Sequence, residues 1–251
     1  MVVAAGHPKE QQHHHHEHRQ AAAPPAPTGP PGPCKAPAPG DKIVYFVRHG
    51  LKELGEEDPQ LSKLGRVQAR RLRMDPRLAA ALSVNASHRA QLVLVSPLKR
   101  TMQTAIIGFG GLFAPEQWLL DPDIMESEIS DKPKDDKNEA MLTELGQPHL
   151  LDQYRRLALD WVDDKGDHKA RYTAKWERFV QLLQKRPEQR FIVVSHHWFI
   201  ENTGHNLNEG QVGISALSPA GAFRQLDPPS CWPGFQEEWR QIVKRLGLAG
   251  A

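Results

Sequence analysis

Two histidines, each placed straight after a short apolar run of β type, are the residues here best placed to do chemistry. His49 follows Ile43-Val44-Tyr45-Phe46-Val47-Arg48 and precedes Gly50; His196 follows Phe191-Ile192-Val193-Val194-Ser195 and precedes His197. An arginine fork matches a phosphoryl group bidentately and stays charged at any relevant pH. An imidazole beside it can attack phosphorus and carry the group. Glycine lets backbone N–H groups come close to an anion. Arg48-His49-Gly50 therefore reads as phosphoryl chemistry with histidine as nucleophile. A third cluster, Ser96-Pro97-Leu98-Lys99-Arg100-Thr101, also follows an apolar run and opens a helical pattern. Helix N-termini favour anions, so Arg100 would sit over the same crevice. A charged His196 would bind phosphate and stabilise the group in transfer.

These residues need elements to bring them together. Runs this short, apolar and β-branched read as buried strands of a parallel sheet, whose carboxyl ends form the ligand crevice. Strands are expected at Lys42–Val47, Gln91–Val95, Trp118–Leu120 and Phe191–Val194, with Val212–Leu217 and Ala222–Leu226 at the sheet edge. Helical spacing predicts helices from an Ser62 N-cap to Arg73, over Leu98–Ile107, His149–Val162 and Thr173–Arg186, from Trp198 to Thr203, and over Phe235–Leu246. Asp121–Lys137 reads as a polar loop. The alternation predicts an α/β protein, a three-layer α/β/α sandwich with a mostly parallel central sheet.

The 251 residues divide unevenly. Residues 1–40 are rich in Pro, Ala, Gly and His and too poor in large apolar side chains to offset the entropy of ordering, so a disordered tail is expected. Residues 41–227 would form the catalytic domain and 228–251 an extension with an amphipathic helix. The tract His13-His14-His15-His16-Glu17-His18 has no second ligand set, and no metal or other cofactor is expected. The formal charge is +2 without a long basic stripe, so no nucleic-acid partner is expected. No apolar run is long enough to span a bilayer, so no membrane partner is expected either. Cys34 and Cys231 read as two free thiols of a reducing compartment rather than as one disulfide tying down the tail, which favours a cytoplasmic location. Trp232, Phe235 and Trp239 could cover either the core or a second subunit, and the oligomeric state stays open.

The ordered set Val47-Arg48-His49-Gly50, Asp58-Pro59-Gln60-Leu61-Ser62-Lys63-Leu64-Gly65, Ser96 to Ala105 and Val194-Ser195-His196, with Asn208-Glu209 as a looser match, resembles the histidine phosphatase superfamily, the phosphoglycerate-mutase-like fold. The resemblance implies that His49 is phosphorylated and that Arg48, Gly50, Arg100 and His196 surround the phosphoryl group. It implies a loop carboxyl as proton donor. In Met125-Glu126-Ser127-Glu128-Ile129-Ser130-Asp131, Glu128 fits the family's Glu before a Ser-Asp pair, and Glu126 is its rival. Two arginines and two histidines supply the positive field a metal would otherwise provide.

The chain departs from the family at three places. Leu51 stands where many members carry a polar residue, and the following loop lacks an Asn that often touches the phosphoryl group. His197 stands where Gly is common, with strand register favouring His196 as the functional imidazole. The segment typical of true phosphoglycerate mutases is not visible. The expectation is therefore a metal-independent hydrolase of small-molecule phosphomonoesters. The alternatives are a sugar-phosphate mutase or bisphosphatase, and a regulatory protein that binds phosphate without turnover.

Overall fold

A six-stranded sheet organises the chain in a computed structural model that describes residues 33–55, 58–84, 86–126, 136–157, 168–245 and 247. The strands are β1 (Lys42–Arg48), β2 (Leu92–Val95), β3 (Trp118–Leu120), β4 (Arg190–Ser195), β5 (Val212–Leu217) and β6 (Phe223–Gln225), in spatial order β3-β2-β4-β1-β5-β6. β3, β2, β4 and β1 run parallel; β5 is antiparallel to β1, and β6 to β5. The helices are α1 (Lys63–Arg71), α2 (Ala79–Leu82), α3 (Lys99–Phe109), α4 (Asp136–Glu144), α5 (Pro148–Arg156), α6 (His168–Lys185), α7 (His197–Glu201) and α8 (Gln236–Arg245).

The central strands are apolar on both faces because both faces are covered, as parallel sheets require. Side chains alternate across each strand. Tyr45 and Val47 of β1 therefore join a core with Val95, Met102, Phe109, Tyr154 and Ile242. Val44 and Phe46 face the opposite core with Phe179 and Leu183 of α6 and Phe199 and Ile200 of α7. In that second layer the Phe179 ring lies 5.0 Å from Phe199 and 6.4 Å from Phe46, centroid to centroid. Fully burying each such side chain is worth about 1.5–3 kcal/mol. The α/β sandwich and its mostly parallel sheet agree with the sequence expectation.

α1 is placed by backbone contact. Ser62 Oγ accepts from the Gly65 N–H at 3.1 Å and so caps the helix. A Cβ on Gly65 would fall 2.1 Å from the Leu51 carbonyl oxygen, and one on Gly50 2.6 Å from the Gly65 carbonyl oxygen. Only glycine at both positions lets the helix lie against the loop that follows β1.

Several boundaries move. α4 lies partly within the stretch read as a loop, because its only buried apolar side chains are Met141 and Leu142 and its period is faint. α6 begins at His168 rather than Thr173. The expected helix over 149–162 ends at Arg156; residues 158–167 lie outside the described residues. So do residues 1–32, with the histidine tract. Trp232 and Phe235 are buried in the chain's own core, with Trp239 packed against it.

The expectation of two free thiols is corrected: Cys34 and Cys231 form a disulfide across 197 residues, with their Cα atoms 5.9 Å apart. Lys35 brings them together. Its N–H donates to Asp227 Oδ2 at 2.7 Å, and its carbonyl accepts from the Asp227 N–H at 3.0 Å. Arg224 adds a bond to the Ala36 carbonyl and an ion pair to Asp41. Disulfides are rare in reducing compartments, so the inference of a cytoplasmic location from free thiols loses its support. Among the described residues, no helix is long and apolar enough to cross a membrane.

Candidate active site

β1 and β4 pair so that Arg48 stands opposite Ser195, and the next residues, His49 and His196, leave the sheet side by side. The His49 N–H donates to the Ser195 carbonyl at 3.1 Å, and the two imidazoles meet edge to face with centroids 5.2 Å apart. β2 ends beside β4, which places Ser96 Oγ 2.8 Å from His196 Nε2. Arg100 enters from the first turn of α3, and its Nε donates to His49 Nε2 at 3.3 Å. The residue preceding α3, Leu98, has no side-chain cap to offer. Asp58 caps the helix from a distance, both carboxylate oxygens accepting the Lys99 N–H at 3.1 Å.

The hydrogen bonds fix the state of His49. Its Nδ1 lies 2.8 Å from the Gly50 carbonyl oxygen, which can only accept, so Nδ1 carries the proton. Nε2 is then the lone-pair nitrogen, in keeping with its acceptance of the Arg100 Nε–H. Burial, then Arg100 and more weakly Arg48 and Lys52, holds the His49 pKa well below its usual value, so the ring is neutral. Burial also holds His196 well below its usual value, reinforced by Arg100 and His49. A charged His196, expected from the sequence, is thus disfavoured by burial and by its cationic neighbours. His196 Nδ1 and Arg48 Nε are both buried and have no hydrogen-bond partner among the described residues.

Arg48 is anchored on one side. Its guanidinium donates to the Leu207 carbonyl and to Glu209 Oε1, each at 2.8 Å. The Gly210 N–H closes this loop onto the carbonyls of Arg48 and His49 at 3.1 Å. His197 faces away from the histidine pair: its Nε2 is 3.1 Å from Glu201 on α7 and its Nδ1 3.4 Å from Arg48. The Gly50 N–H is committed to Thr104 Oγ1 at 3.0 Å.

Among the described residues, the carboxylate beside both His196 and Arg100 is Glu126. Its Oε2 lies 3.4 Å from His196 Nδ1 and 3.8 Å from an Arg100 nitrogen, while Oε1 accepts the Trp198 N–H at 3.3 Å. Ser195 Oγ donates to the Ile124 carbonyl at 2.6 Å and pins the single 3-10 turn, Pro122–Ile124, that leads to Glu126. Glu128, favoured by the sequence pattern, lies outside the described residues. Asp58 stands behind Arg100 at 3.7 Å and also accepts from Asn138 Nδ2 at 2.9 Å. Burial raises the Asp58 pKa, against the bonds from Asn138 and Lys99.

The structure brings Arg48, His49, Gly50, Arg100 and His196 together. Sequence reading missed Ser96 as a partner of His196, Asp58 as the cap of α3, and Glu209 as the anchor of Arg48. Asp58, Ser96 and Glu209 all lie in the segments quoted above, so their presence was visible and their partners were not. His49, Glu126 and His196 each offer one donor atom within 4.8 Å of the others, a spacing a metal ion could use. The two adjoining guanidinium groups that already depress both imidazoles oppose a divalent cation and favour an anion. Cys34, Asp227 and Cys231 share that spacing, but both sulfurs are spent in the disulfide.

Comparison with known proteins bears on the family and the fold. A Schizosaccharomyces pombe protein named as a probable phosphatase is 42% identical over 77 residues, 28% of this chain and 32% of that protein. The match thus spans about a third of the relative's length. The ecdysone phosphate phosphatase of Bombix mori, solved with tungstate, shares the fold at 15% identity and a TM-score of 0.51, over 75% of this chain and 93% of that one. The alpha-ribazole phosphatase of Shigella flexneri aligns at 16% identity and a TM-score of 0.48, over 76% and 98% of the two chains. The family model of the histidine phosphatase superfamily (branch 1) matches residues 44–211, more than half of the chain, and this chain belongs to that superfamily.

Proposed function

We propose that this chain hydrolyses phosphomonoesters through a phosphohistidine formed on His49. One observation carries the reading: the Gly50 carbonyl holds the Nδ1 proton of a neutral, buried His49, so the lone pair is on Nε2, where the long bond from Arg100 must give way as the ring attacks phosphorus.

In the first step the Nε2 lone pair attacks phosphorus as the bond to the leaving oxygen breaks. The Glu126 carboxyl gives that oxygen its proton. The positive charge gathering on the ring is stabilised by the Nδ1–H bond to Gly50. Arg48, Arg100 and His196 face the charge on the phosphoryl oxygens. In the second step the Glu126 carboxylate takes a proton from water, whose oxygen attacks phosphorus. The N–P bond breaks, its electron pair returns to Nε2, and phosphate leaves. Ester and water become alcohol and phosphate, with the enzyme restored.

Because arginines supply the positive field, p-nitrophenyl phosphate should be turned over in EDTA. Acid-labile, base-stable phosphate should be trapped on the wild-type protein and not on His49→Ala. Equal turnover by His49→Ala would sink the proposal.

A further inference from the structure

Among the described residues, Trp198 is the one large aromatic side chain near the site that stays substantially exposed, at 55%. Its backbone is fixed on three counts. Its N–H donates to Glu126 Oε1 at 3.3 Å, and its carbonyl accepts from the Tyr172 hydroxyl and from Asn202 Nδ2 at 3.2 Å. Its indole packs edge-on against His197, centroids 5.5 Å apart, and His197 in turn reaches Arg48. Trp198 thus adjoins the phosphoryl pocket by two routes, one through Glu126 and one through His197 and Arg48.

We propose that Trp198 forms a leaving-group subsite that selects phosphomonoesters of aromatic or ring-bearing alcohols. This rests on the phosphohydrolase reading above. The group that protonates the leaving oxygen marks the side on which the alcohol departs, and that group is bonded to the Trp198 N–H. An indole left half in water on a rigid backbone is preorganised to stack on a flat substrate, since little freedom remains to be lost on binding. Nothing in the core requires a tryptophan there: the buried members of α7 are Phe199 and Ile200.

Benzylphosphonate and ethylphosphonate test this without turnover, because neither has an ester bond to break. By calorimetry, the wild type should bind the benzyl compound more tightly. An aromatic pair predicts a contribution of about two- to twelve-fold. In Trp198→Ala that preference should collapse, and in Trp198→Phe most of it should survive. An undiminished preference in Trp198→Ala overturns the subsite while leaving the phosphoryl pocket intact. Failure of the wild type to bind either phosphonate overturns the pocket itself.

Discussion

Replacing Glu126 by Gln should separate the two halves of the reaction. Glutamine keeps the size of the side chain and an oxygen to accept the Trp198 N–H at 3.3 Å, so the loop should stay in place. It removes the oxygen that lies 3.4 Å from His196 and 3.8 Å from Arg100, the one facing the site. A positioned general acid or base contributes about 10²–10⁴-fold, or about 2.7–5.4 kcal/mol of barrier. An alkyl phosphate needs that proton in the first step, so its hydrolysis should fall by this amount. p-Nitrophenolate leaves without one. Rapid quench of Glu126→Gln with p-nitrophenyl phosphate should therefore show a burst of about one equivalent, followed by slow turnover as the phosphoenzyme waits for its base. The parallel variant Glu128→Gln should behave as wild type. If Glu128→Gln loses activity on alkyl phosphates while Glu126→Gln keeps it, the reasoning from these distances is refuted.

Two further outcomes follow. Burial holds both active-site histidines well below 6.5. Below pH 6.5 the unfolded chain then binds protons that the folded chain does not, and stability falls with pH. For one such imidazole the loss is about 1 kcal/mol between pH 6.5 and 5.5. Asp121, raised to about 6 by burial, acts in the opposite direction, so the measurement is the difference between wild type and His196→Asn in urea unfolding. Parallel curves over this range would show that His196 is not held neutral. For the disulfide, thiol labelling of the denatured, unreduced protein should find no free cysteine between Cys34 and Cys231, and two after reduction. Reduction should cost about 5 kcal/mol by loop-closure entropy, and labelling of both cysteines before reduction would contradict the pairing.

Much of the site was legible because strand ends carry it. Val47-Arg48-His49 and Val194-Ser195-His196 each announce a buried strand that ends in a reactive side chain, and parallel pairing of β1 with β4 then aligns them by register. What was not legible depends on contacts between distant segments. Nothing local tells that Asp58 caps α3, that Glu209 fixes Arg48, or that Ser96 meets His196. The choice of acid depends on such a contact too: the Ser-Asp pair points to Glu128, which lies outside the described residues, while the Ser195 bond to Ile124 holds the turn ahead of Glu126, whose carboxylate lies beside His196. Cysteine count alone could not reveal a bridge over 197 residues that depends on the pairing of Lys35 with Asp227. α4 was hidden because it buries so few apolar side chains.

The bridge from Cys34 to Cys231 also decides how the chain carries force. All six strands, with His49 and His196, lie between the two sulfurs. Tension applied at the two termini would run along the residues outside the bridge and then across the sulfur–sulfur bond, never along the sheet. Such a pull would peel away α8, which lies beyond Cys231, and leave the pairing of β1 with β4 unstretched. In the oxidised protein the crevice between His49 and His196 is therefore mechanically isolated from a pull on the two ends; in the reduced protein β1 from one end and β6 from the other become the first strands to bear the load.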